Sequence, residues 1–301
     1  MSHVACVGIA VLDHVFQVAE LPSSPGKYRA TARTETGGGV AANAAATVTR
    51  LGGTAGFHGA VGDDSAADRI TAGLEAWGVD TSGVRRVPGQ ASPVSAVLVD
   101  AAGERLIVNH AGPELFTVAP SVTASDVAEA DVVLADMRWP GGAIPALRAA
   151  RGAGKPAIVD CDHDPADAPG ILEAATHIVF ALATLQRYAG NADAAAALRI
   201  AARRTGAWVA ATAGGDGVYW LAEDALCHGP ADEVDVVDTL GAGDVFHGAF
   251  ALAVAEGRSE TAALRWASAA AALKCTRFGG RTGIPQRNEV DRFVEERTPW
   301  S

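Results

Sequence analysis

Apolar and polar positions recur along the chain with two different periods. Short apolar runs are typical of buried strands, and longer Ala-rich runs with regularly spaced polar positions are typical of helices. We predict strands near 131–136, 156–160, 177–180 and 207–213, and helical stretches at about 143–153, 192–204, 241–256 and 260–276. This alternation indicates an α/β fold with a parallel sheet covered by helices on both faces. In such sheets ligands bind at the carboxyl ends of the strands.

The first third of the chain departs from this alternation. An apolar run at 3–11 predicts a first strand, which ends near Asp13. A further strand at 55–61 lies between helices predicted at 40–51 and 65–77. A polar residue that follows a first strand lies where parallel sheets bind ligands.

Two segments predict a small separate sheet. The segment at about 14–36 contains a Pro-rich turn flanked by short alternating runs, which is typical of edge strands. The alternating runs 93–100 and 104–110 are joined by a Gly-containing loop at 101–103 and predict a hairpin. We expect the first segment and 91–112 to form a lid over the ligand edge of the main sheet. Because an exposed sheet edge is a liability, we also expect two lids to pair in a homodimer.

Composition and charge exclude several functional classes. With 301 residues, 49% hydrophobic and 20% charged, the chain is expected to form a single globular domain over 1–301. It has no apolar run near the ~18–20 residues that span a bilayer. Its first residues lack the basic region of an export signal, so we expect a cytoplasmic location. A net charge of −11 disfavours a general nucleic-acid binder.

Cysteine and lysine are both scarce. The four cysteines are scattered without a CxxC pair, which predicts reduced packing residues rather than a metal site. Lysine occurs only at Lys27, Lys155 and Lys274. That scarcity makes the position of each lysine informative.

The stretch 237–250, Val-Asp-Thr-Leu-Gly-Ala-Gly-Asp-Val-Phe-His-Gly-Ala-Phe, carries the strongest chemical signal. The β-branched run at 234–237 predicts a strand, and an Ala-rich helix follows. Between them the Gly-Ala-Gly turn leaves the backbone open to an anion, and a helix start offers unpaired N–H groups. Asp244 stands at the mouth of this turn, where it can take a proton from a substrate hydroxyl. Taken alone, Gly-x-Gly-Asp also fits an ordinary tight turn with a first-turn acid.

The longer string Asp-Thr-x-Gly-Ala-Gly-Asp-x-Phe-x-Gly resembles the C-terminal signature of the PfkB/ribokinase family of sugar kinases. The resemblance implies a ribokinase-like three-layer αβα fold, with a predominantly parallel central sheet and a small β-sheet lid. It implies phosphoryl transfer from ATP with Mg²⁺. It also implies that Asp244 is the catalytic base and that the amides of Gly241, Ala242 and Gly243 form an anion hole for the transferring group.

Two stretches near the N-terminus extend the resemblance to the sugar side. Gly8 and Asp13 occupy the place of the family's first sugar contact, although Asp13 alone also fits a turn residue. The stretch Gly-Gly-Gly-Val-Ala-Ala-Asn that ends at Asn43 resembles the N-terminal signature. It implies that Gly38 and Gly39 let the sugar lie against the backbone and that Asn43 contacts a hydroxyl. A Gly-rich helix start also occurs in dinucleotide sites, but Gly-x-Gly-x-x-Gly is absent.

A small-residue loop follows the strand predicted near 207–213. Its residues suit either an ordinary hairpin turn or a loop on which a nucleotide lies. The family resemblance implies ATP binding by Thr212, Gly214 and Gly217. It further implies that Ser268 and Ala271, on a later helix, lie close to the adenine, although small residues on an Ala-rich helix also simply allow close packing.

The sequence departs from the family pattern at one motif and leaves a second feature open. The family's Asn-x-x-Glu motif, tied to magnesium and phosphate, is replaced by Ala181 and Thr184. Magnesium is then held mainly by ATP and water, or by another acid such as Asp160 or Asp162. Many members also bind a monovalent cation near the Asp-Thr-x-Gly turn, and Asp238 matches that position, whereas the other ligands are largely backbone carbonyls.

Within the family, several stretches resemble the bacterial kinases of 6-deoxy-6-sulfofructose. They are residues 4–9, 26–28, 132–136, 138–139, 236–239, 244–248 and 273–277. This closer resemblance implies phosphorylation of that sugar at O1 by ATP. It also implies a sulfonate-binding set of Lys27, Asn109 and Arg138.

Two kinds of alternative stay open at this point. A kinase for 2-keto-3-deoxygluconate, fructose or ribose carries the same family signatures. From a different class, the chain could be a non-catalytic sugar- and nucleotide-binding sensor on a kinase fold. The missing Asn-x-x-Glu favours the sensor, and the intact Gly-Ala-Gly-Asp speaks against it.

Overall fold

The computed structural model describes residues 1–101, 104–297 and 300. In chain order the strands of this part are β1 (His3–Val7), β2 (Val11–Gln17), β3 (Ala32–Gly38), β4 (Thr54–His58), β5 (Ala60–Val61), β6 (Arg85–Arg86), β7 (Val94–Val99), β8 (Arg105–His110), β9 (Val132–Ala135), β10 (Ala157–Cys161), β11 (His177–Ala181), β12 (Trp208–Thr212), β13 (Val218–Ala222) and β14 (Ala225–Gly229). The α-helices are α1 (Val40–Arg50), α2 (Ser65–Glu75), α3 (Leu115–Val118), α4 (Pro140–Gly152), α5 (Ile171–Ala174), α6 (Leu182–Ala189), α7 (Ala194–Thr205), α8 (Ala242–Ala255), α9 (Glu260–Cys275) and α10 (Arg287–Glu295).

The large sheet has eight strands in the order β14-β13-β12-β11-β10-β9-β1-β4. Neighbours from β12 to β4 are parallel, and β13 and β14 add antiparallel at one edge. Buried apolar residues form a cluster on each face, one with α1, α8 and α9 and the other with α4, α6 and α7. The predicted three-layer αβα fold is therefore confirmed. None of the helices in the described residues is both long and apolar enough to cross a bilayer.

The central strands show why apolar runs predicted them. Every residue of β9 and β10 is buried, because helices cover both faces of a parallel sheet. Polar residues appear where these strands end. Asp136 directly follows β9, and Asp160 and Asp162 stand at the end of β10. The carboxyl edge of the sheet therefore gathers acidic side chains, as the fold class predicts for a ligand site.

The small sheet has the strand order β3-β2-β7-β8. β2 runs antiparallel to β3 and parallel to β7, and β7 and β8 form the predicted hairpin, whose loop residues 102 and 103 lie outside the described part. The alternating run predicted after the Pro-rich turn of the segment 14–36 becomes a strand only at Ala32, and residues 18–31 form a connection. Pro22 and Pro25 lack the N–H group that a sheet ladder requires.

The structure corrects the predicted first strand. The run 3–11 is not one strand, because β1 ends at Val7 and the chain then crosses to the small sheet as β2. At Gly8 a Cβ would collide with the carboxylate of Asp136, and Asp136 Oδ2 accepts the amide of Ile9 at 2.8 Å. Asp13 therefore lies within β2 of the small sheet rather than in a turn after the first strand.

The β-branched run at 234–237 is a second correction, because it is not a strand. Val236 and Val237 are exposed by 63% and 60%. The amides of Val237 and Asp238 both donate to the carbonyl oxygen of Cys275, at 2.8 and 3.1 Å. The run is thus anchored to the end of α9 and not to the large sheet.

Candidate active site

Helix α8 begins at the Gly-Ala-Gly turn, and this turn leaves amides free for an anion. Gly241 is the N-cap with φ of 77°, a left-handed conformation that glycine adopts without steric cost. The amide of Ala242 donates to the carbonyl oxygen of Thr239 at 3.2 Å, whereas the amides of Gly241 and Gly243 have no acceptor within the described chain. Free amides at the positive end of a helix dipole form an anion site. The anion hole stays a prediction, for which the amides of Gly241 and Gly243 are free and that of Ala242 is already engaged.

The carboxylate of Asp244 lies in the first turn of α8 and contacts α1. Asn43 Nδ2 donates to Asp244 Oδ2 at 2.6 Å, and Asn43 Oδ1 accepts from Arg281 Nε at 2.8 Å. Asp244 Oδ1 has no hydrogen-bond donor among residues 1–101, 104–297 and 300. One oxygen of the carboxylate is therefore held by the protein, and the other is free to accept a proton.

The environment of Asp244 suits a general base. Burial raises its pKa, the hydrogen bond from Asn43 opposes this, and the carboxylates of Asp162 and Asp136 raise it further, so that its pKa reaches about 6. A base is most effective when its pKa lies near the working pH. Asp244 is therefore ionised at neutral pH and yet basic enough to accept a proton from a hydroxyl.

The small sheet brings several predicted sugar contacts to the same place. A Cβ on Gly38 would collide with the carboxylate of Asp13, so only glycine at this position of β3 leaves room for that carboxylate. Burial raises the pKa of Asp13, whereas a hydrogen bond from Ser95 and the charge of Arg281 lower it. Asn109 Nδ2 in turn donates to Ser95 Oγ at 3.3 Å. Gly38, Asp13 and Asn109 therefore belong to one polar cluster, which Arg281 joins to Asn43 and which is called the candidate sugar pocket below.

Arg281 belongs to this polar cluster, although no sequence pattern indicated it. Its side chain is buried, with Nε on Asn43 Oδ1 and Nη2 on the carbonyl oxygen of Gly38 at 3.0 Å. Burial lowers its pKa to about 10, although the charges of Asp13 and Asp244 act in the opposite direction. No carboxylate of the described residues forms an ion pair with it. A lone arginine after a Gly-Gly pair was the only available signal, and no periodicity marks it.

Gly39 is placed differently from the other predicted sugar contacts. It is the N-cap of α1, and a Cβ there would collide with the carbonyl oxygen of Ile9. The close approach of α1 to the chain crossing between β1 and β2 therefore accounts for this glycine. That approach in turn sets the position of Asn43, one turn into the helix.

A cavity of about 310 Å³ lies on the other side of the Gly-Ala-Gly turn. All five predicted nucleotide contacts line it: Thr212, Gly214, Gly217, Ser268 and Ala271. The loop after β12 is at once the β12–β13 hairpin turn and a wall of this cavity. Ala242 and Gly243 also line it, so the turn separates the cavity from Asn43 and the sugar pocket.

Of the three predicted sulfonate contacts, the structure brings two near the pocket. Asn109 adjoins Ser95 as described, and Arg138 is close enough for its charge to lower the pKa of Asp244. Arg138 is held by Asp162 in a bidentate pair, with Nη2 2.7 Å from Oδ2. Burial would lower the pKa of Arg138, but Asp162 outweighs it and raises the value above the ordinary one. Lys27 is exposed in the connection 18–31, and no hydrogen bond or ion pair within the described residues ties its side chain to either of them.

Both acids considered for magnesium already have protein partners. Asp162 pairs with Arg138, and Asp160 is buried with its Oδ2 3.0 Å from Nδ1 of His247. Burial and the charges of Asp162 and Asp244 raise the pKa of Asp160 well above its ordinary value. Within the described ranges no three His, Cys, Asp or Glu side chains converge as a metal site. Mg²⁺ in proteins is commonly held by one or two carboxylates together with substrate phosphates and water.

The predicted monovalent-cation ligand, Asp238, is surrounded by the protein's own donors and cations. Its carboxylate accepts the amides of Leu240 and Gly279, each at 2.9 Å, and forms an ion pair with Arg105 of β8. Burial would raise its pKa, but these amides and the nearby charges of Lys274 and Arg105 lower it. Lys274 Nζ also donates to the carbonyl oxygen of Asp238 at 2.8 Å. A free cation therefore does not fit this turn.

Comparison with known proteins identifies the family of this chain and matches its fold. The family model described as pfkB family carbohydrate kinase matches residues 1–287. The ATP-dependent ribose-1-phosphate kinase of Halopiger xanaduensis is 31% identical over 304 residues, covering 99% of each chain. A structure from Agrobacterium tumefaciens, described as a ribokinase candidate, is 43% identical with a TM-score of 0.93 and covers 98% of each chain. Arabidopsis thaliana ribokinase, solved with ribose and ATP, is 25% identical with a TM-score of 0.84 and the same coverage.

Proposed function

Because this chain belongs to the pfkB family of carbohydrate kinases and is an ATP-dependent sugar kinase, we propose that its sugar is 6-deoxy-6-sulfofructose, phosphorylated at O1. One observation carries the chemistry. Asp244, with a free oxygen and a pKa near 6, stands beside the amides of Gly241 and Gly243, between a nucleotide-sized cavity and a polar pocket. The choice of sugar rests on the resembling stretches and on the cations near that pocket.

In the proposed reaction Asp244 Oδ1 accepts the proton of the sugar hydroxyl. The hydroxyl oxygen forms a bond to the γ-phosphorus of ATP, the bond from that phosphorus to the β,γ-bridging oxygen breaks, and ADP leaves with the electron pair. The free amides of Gly241 and Gly243 stabilise the charge on the transferring group. Asn43 keeps the carboxylate oriented through Oδ2.

The nucleotide in this proposal lies in the cavity lined by Thr212, Ser268 and Phe246. Small residues along the loop after β12 let it approach the sheet edge, and apolar side chains face the base. Mg²⁺, when bound, neutralises charge on the phosphates. ATP as a substrate and four free cysteines suit the reducing cytoplasm, which we propose as the location.

The groups near the sugar pocket suit a sulfonate. Arg138 uses two N–H donors on Asp162, and three of its five donors remain. A sulfonate offers one negative charge and three acceptor oxygens, for which a guanidinium, the amide of Asn109 and an ammonium are complementary. We propose that the connection 18–31 closes over the sugar and brings Lys27 to the third oxygen. The small sheet, about 14–36 and 91–112, is then the lid of a single kinase domain.

A turnover panel tests the choice of sugar. ATP-dependent phosphorylation is measured with 6-deoxy-6-sulfofructose, fructose 6-phosphate, fructose, ribose and 2-keto-3-deoxygluconate. We expect kcat/KM for sulfofructose to exceed the others by at least about tenfold, because the discriminating group is charged and hydrogen-bonded. A higher value with another sugar assigns that sugar instead. If the protein binds ATP and a sugar but phosphorylates none of the five sugars, it is a non-catalytic sensor.

The acid limb of the pH profile is a direct test of Asp244. Because its folded-state pKa is about 6 and only the ionised form accepts a proton, kcat/KM is expected to fall about tenfold per pH unit below that value and to level off above it. The hydrogen bond from Asn43 stabilises the ionised form, so Asn43→Leu is expected to move the limb to higher pH. A limb that stays in place in this variant contradicts the assignment.

We propose that the small sheet pairs with that of a second copy. Edge strand β8 exposes Leu106, Ile107 and Val108 consecutively, by 37%, 48% and 59%, and so presents apolar groups on both of its faces. An exposed apolar edge strand invites pairing with another chain. A homodimer through the lid covers it.

A charge on this edge is expected to separate the dimer. Val108→Glu buries a carboxylate in the proposed interface, and light scattering after size exclusion is expected to show a monomer where the wild type shows a dimer. Val118→Glu is the matched control, because Val118 is also exposed, by 53%, but is the last residue of α3, outside the small sheet. A monomeric wild type, or equal dissociation in both variants, contradicts pairing through the lid.

A further inference from the structure

The ammonium of Lys274 is buried directly behind the turn that leads to the anion hole. Lys274 lies near the end of α9 and is 0% exposed. Its Nζ donates to the carbonyl oxygen of Asp238 at 2.8 Å, and lies 3.5 Å from that of Arg277 and 3.7 Å from Asp238 Oδ2. Burying a charge is costly unless it is paired and hydrogen-bonded, so these contacts define a specific position.

Asp238 links this ammonium to the anion hole. Through its carboxylate it holds the amides of Leu240 and Gly279, and its main chain begins the turn 238–243. Removing the ammonium leaves the carbonyl oxygen of Asp238 without its buried donor, and leaves Arg105 as the only cation paired with the carboxylate among the described residues. The conformation of the turn therefore depends on the positive charge of Lys274. The direction in which the free amides of Gly241 and Gly243 point depends on it as well.

An inorganic cation and the ammonium compete for the same place. Backbone carbonyl oxygens are also the ligands that replace the hydration shell of K⁺. Here the carbonyl oxygens of Asp238 and Arg277 already face Nζ, and a second positive charge at contact distance would be repelled. Arg105 occupies another side of the carboxylate.

We propose that Lys274 takes the place of the monovalent cation, so that the turn 238–243 is ordered by a built-in ammonium and the enzyme needs no added K⁺ or Na⁺. The inference rests on the proposed kinase function. Lys274 touches no reacting atom and acts by positioning the turn. Burial lowers the pKa of Lys274, and the carboxylate of Asp238 favours its charged form.

The first test uses the wild-type protein. Its kcat is measured in tetramethylammonium chloride and in KCl at equal ionic strength, after removal of alkali ions and ammonium. The two values are expected to agree within about twofold, because the cation position is filled. A larger rise with KCl overturns the proposal, however any variant behaves.

Two substitutions separate charge from packing. Lys274→Ala removes the ammonium and leaves room, so without alkali ions its kcat is expected to fall at least about tenfold with little change in sugar KM, and KCl is expected to restore part of it. Lys274→Met fills the space without charge. Its kcat is expected to fall in the same way, and KCl is not expected to restore it. Lys155→Met is the matched control, since Lys155 Nζ also donates to two carbonyl oxygens, at 2.7 Å each. Lys155 lies just before β10, at the amino ends of the parallel strands, whereas the ligand site is predicted at their carboxyl ends. Wild-type kcat in Lys274→Ala without alkali ions overturns the proposal.

A readout without turnover keeps this inference separate from the kinase proposal. Because an ion that binds only the folded state stabilises it, KCl is expected to raise the Tm of Lys274→Ala but not that of the wild type or Lys274→Met. If no sugar is phosphorylated, the proposed substrate fails while this comparison still decides the role of Lys274. An equal effect of KCl on all three proteins counts against it.

Discussion

Asp244→Asn is expected to lower kcat at least about 10²-fold, the usual loss when a general base is removed, with little change in sugar affinity. The substitution keeps the shape of the side chain. Its amide oxygen can still accept the hydrogen bond that Asn43 Nδ2 now donates at 2.6 Å, so the link between α8 and α1 persists. Only the capacity to take a proton is lost. The measurement is steady-state kinetics with ATP and the best sugar of the panel, together with sugar binding by calorimetry.

Asp235→Asn is the matched control for this prediction. It makes the same change of charge at an exposed position in the segment that leads to the anion turn. We expect it to retain wild-type kcat, because solvent screens an exposed charge. If Asp244→Asn also retains wild-type kcat, Asp244 is not the base, and the proposed mechanism is wrong at its central residue.

Arg138→Ala is expected to cut kcat/KM for 6-deoxy-6-sulfofructose about 10²-fold, which corresponds to about 2.7 kcal/mol of transition-state stabilisation. The physical reason is the loss of charge-assisted hydrogen bonds to the sulfonate. Fructose lacks that group, so its kcat/KM is expected to change far less. Parallel kinetics on the two sugars measure the difference.

The ion pair between Arg138 and Asp162 offers a control. It separates recognition of the sulfonate by Arg138 from neutralisation of the Asp162 charge. Asp162→Asn removes the partner charge but leaves the guanidinium, so sulfofructose selectivity over fructose is expected to be kept or to rise. If Arg138 serves only to neutralise Asp162, both variants should lose activity equally on both sugars. That outcome would falsify the sulfonate-binding role and return the substrate to an unspecified ketose.

The sequence by itself determined the layers of the fold and indicated the turn that we propose as the centre of the chemistry. Strands buried on both faces must be continuously apolar, so β9 to β12 were visible as runs between helical stretches. The Gly-Ala-Gly-Asp turn was visible because a backbone that approaches an anion at a helix start requires small residues within a few positions. The five predicted nucleotide contacts, which came from the family resemblance, line one cavity although they lie in two segments far apart in sequence.

Only the tertiary structure decided which charged groups face each other. Arg281 contacts Gly38 across 243 positions, Lys274 reaches Asp238, and Arg138 pairs with Asp162. Such pairs depend on distance in space and on burial. Neither produces a periodic pattern in the sequence. The run at 234–237 is not a strand, because β-branched residues also occur in exposed extended segments and a carbonyl oxygen at the end of α9 holds this one. The local sequence pattern thus determines where most helices and strands form. The side chains that the tertiary structure brings together determine the electrostatics of the site.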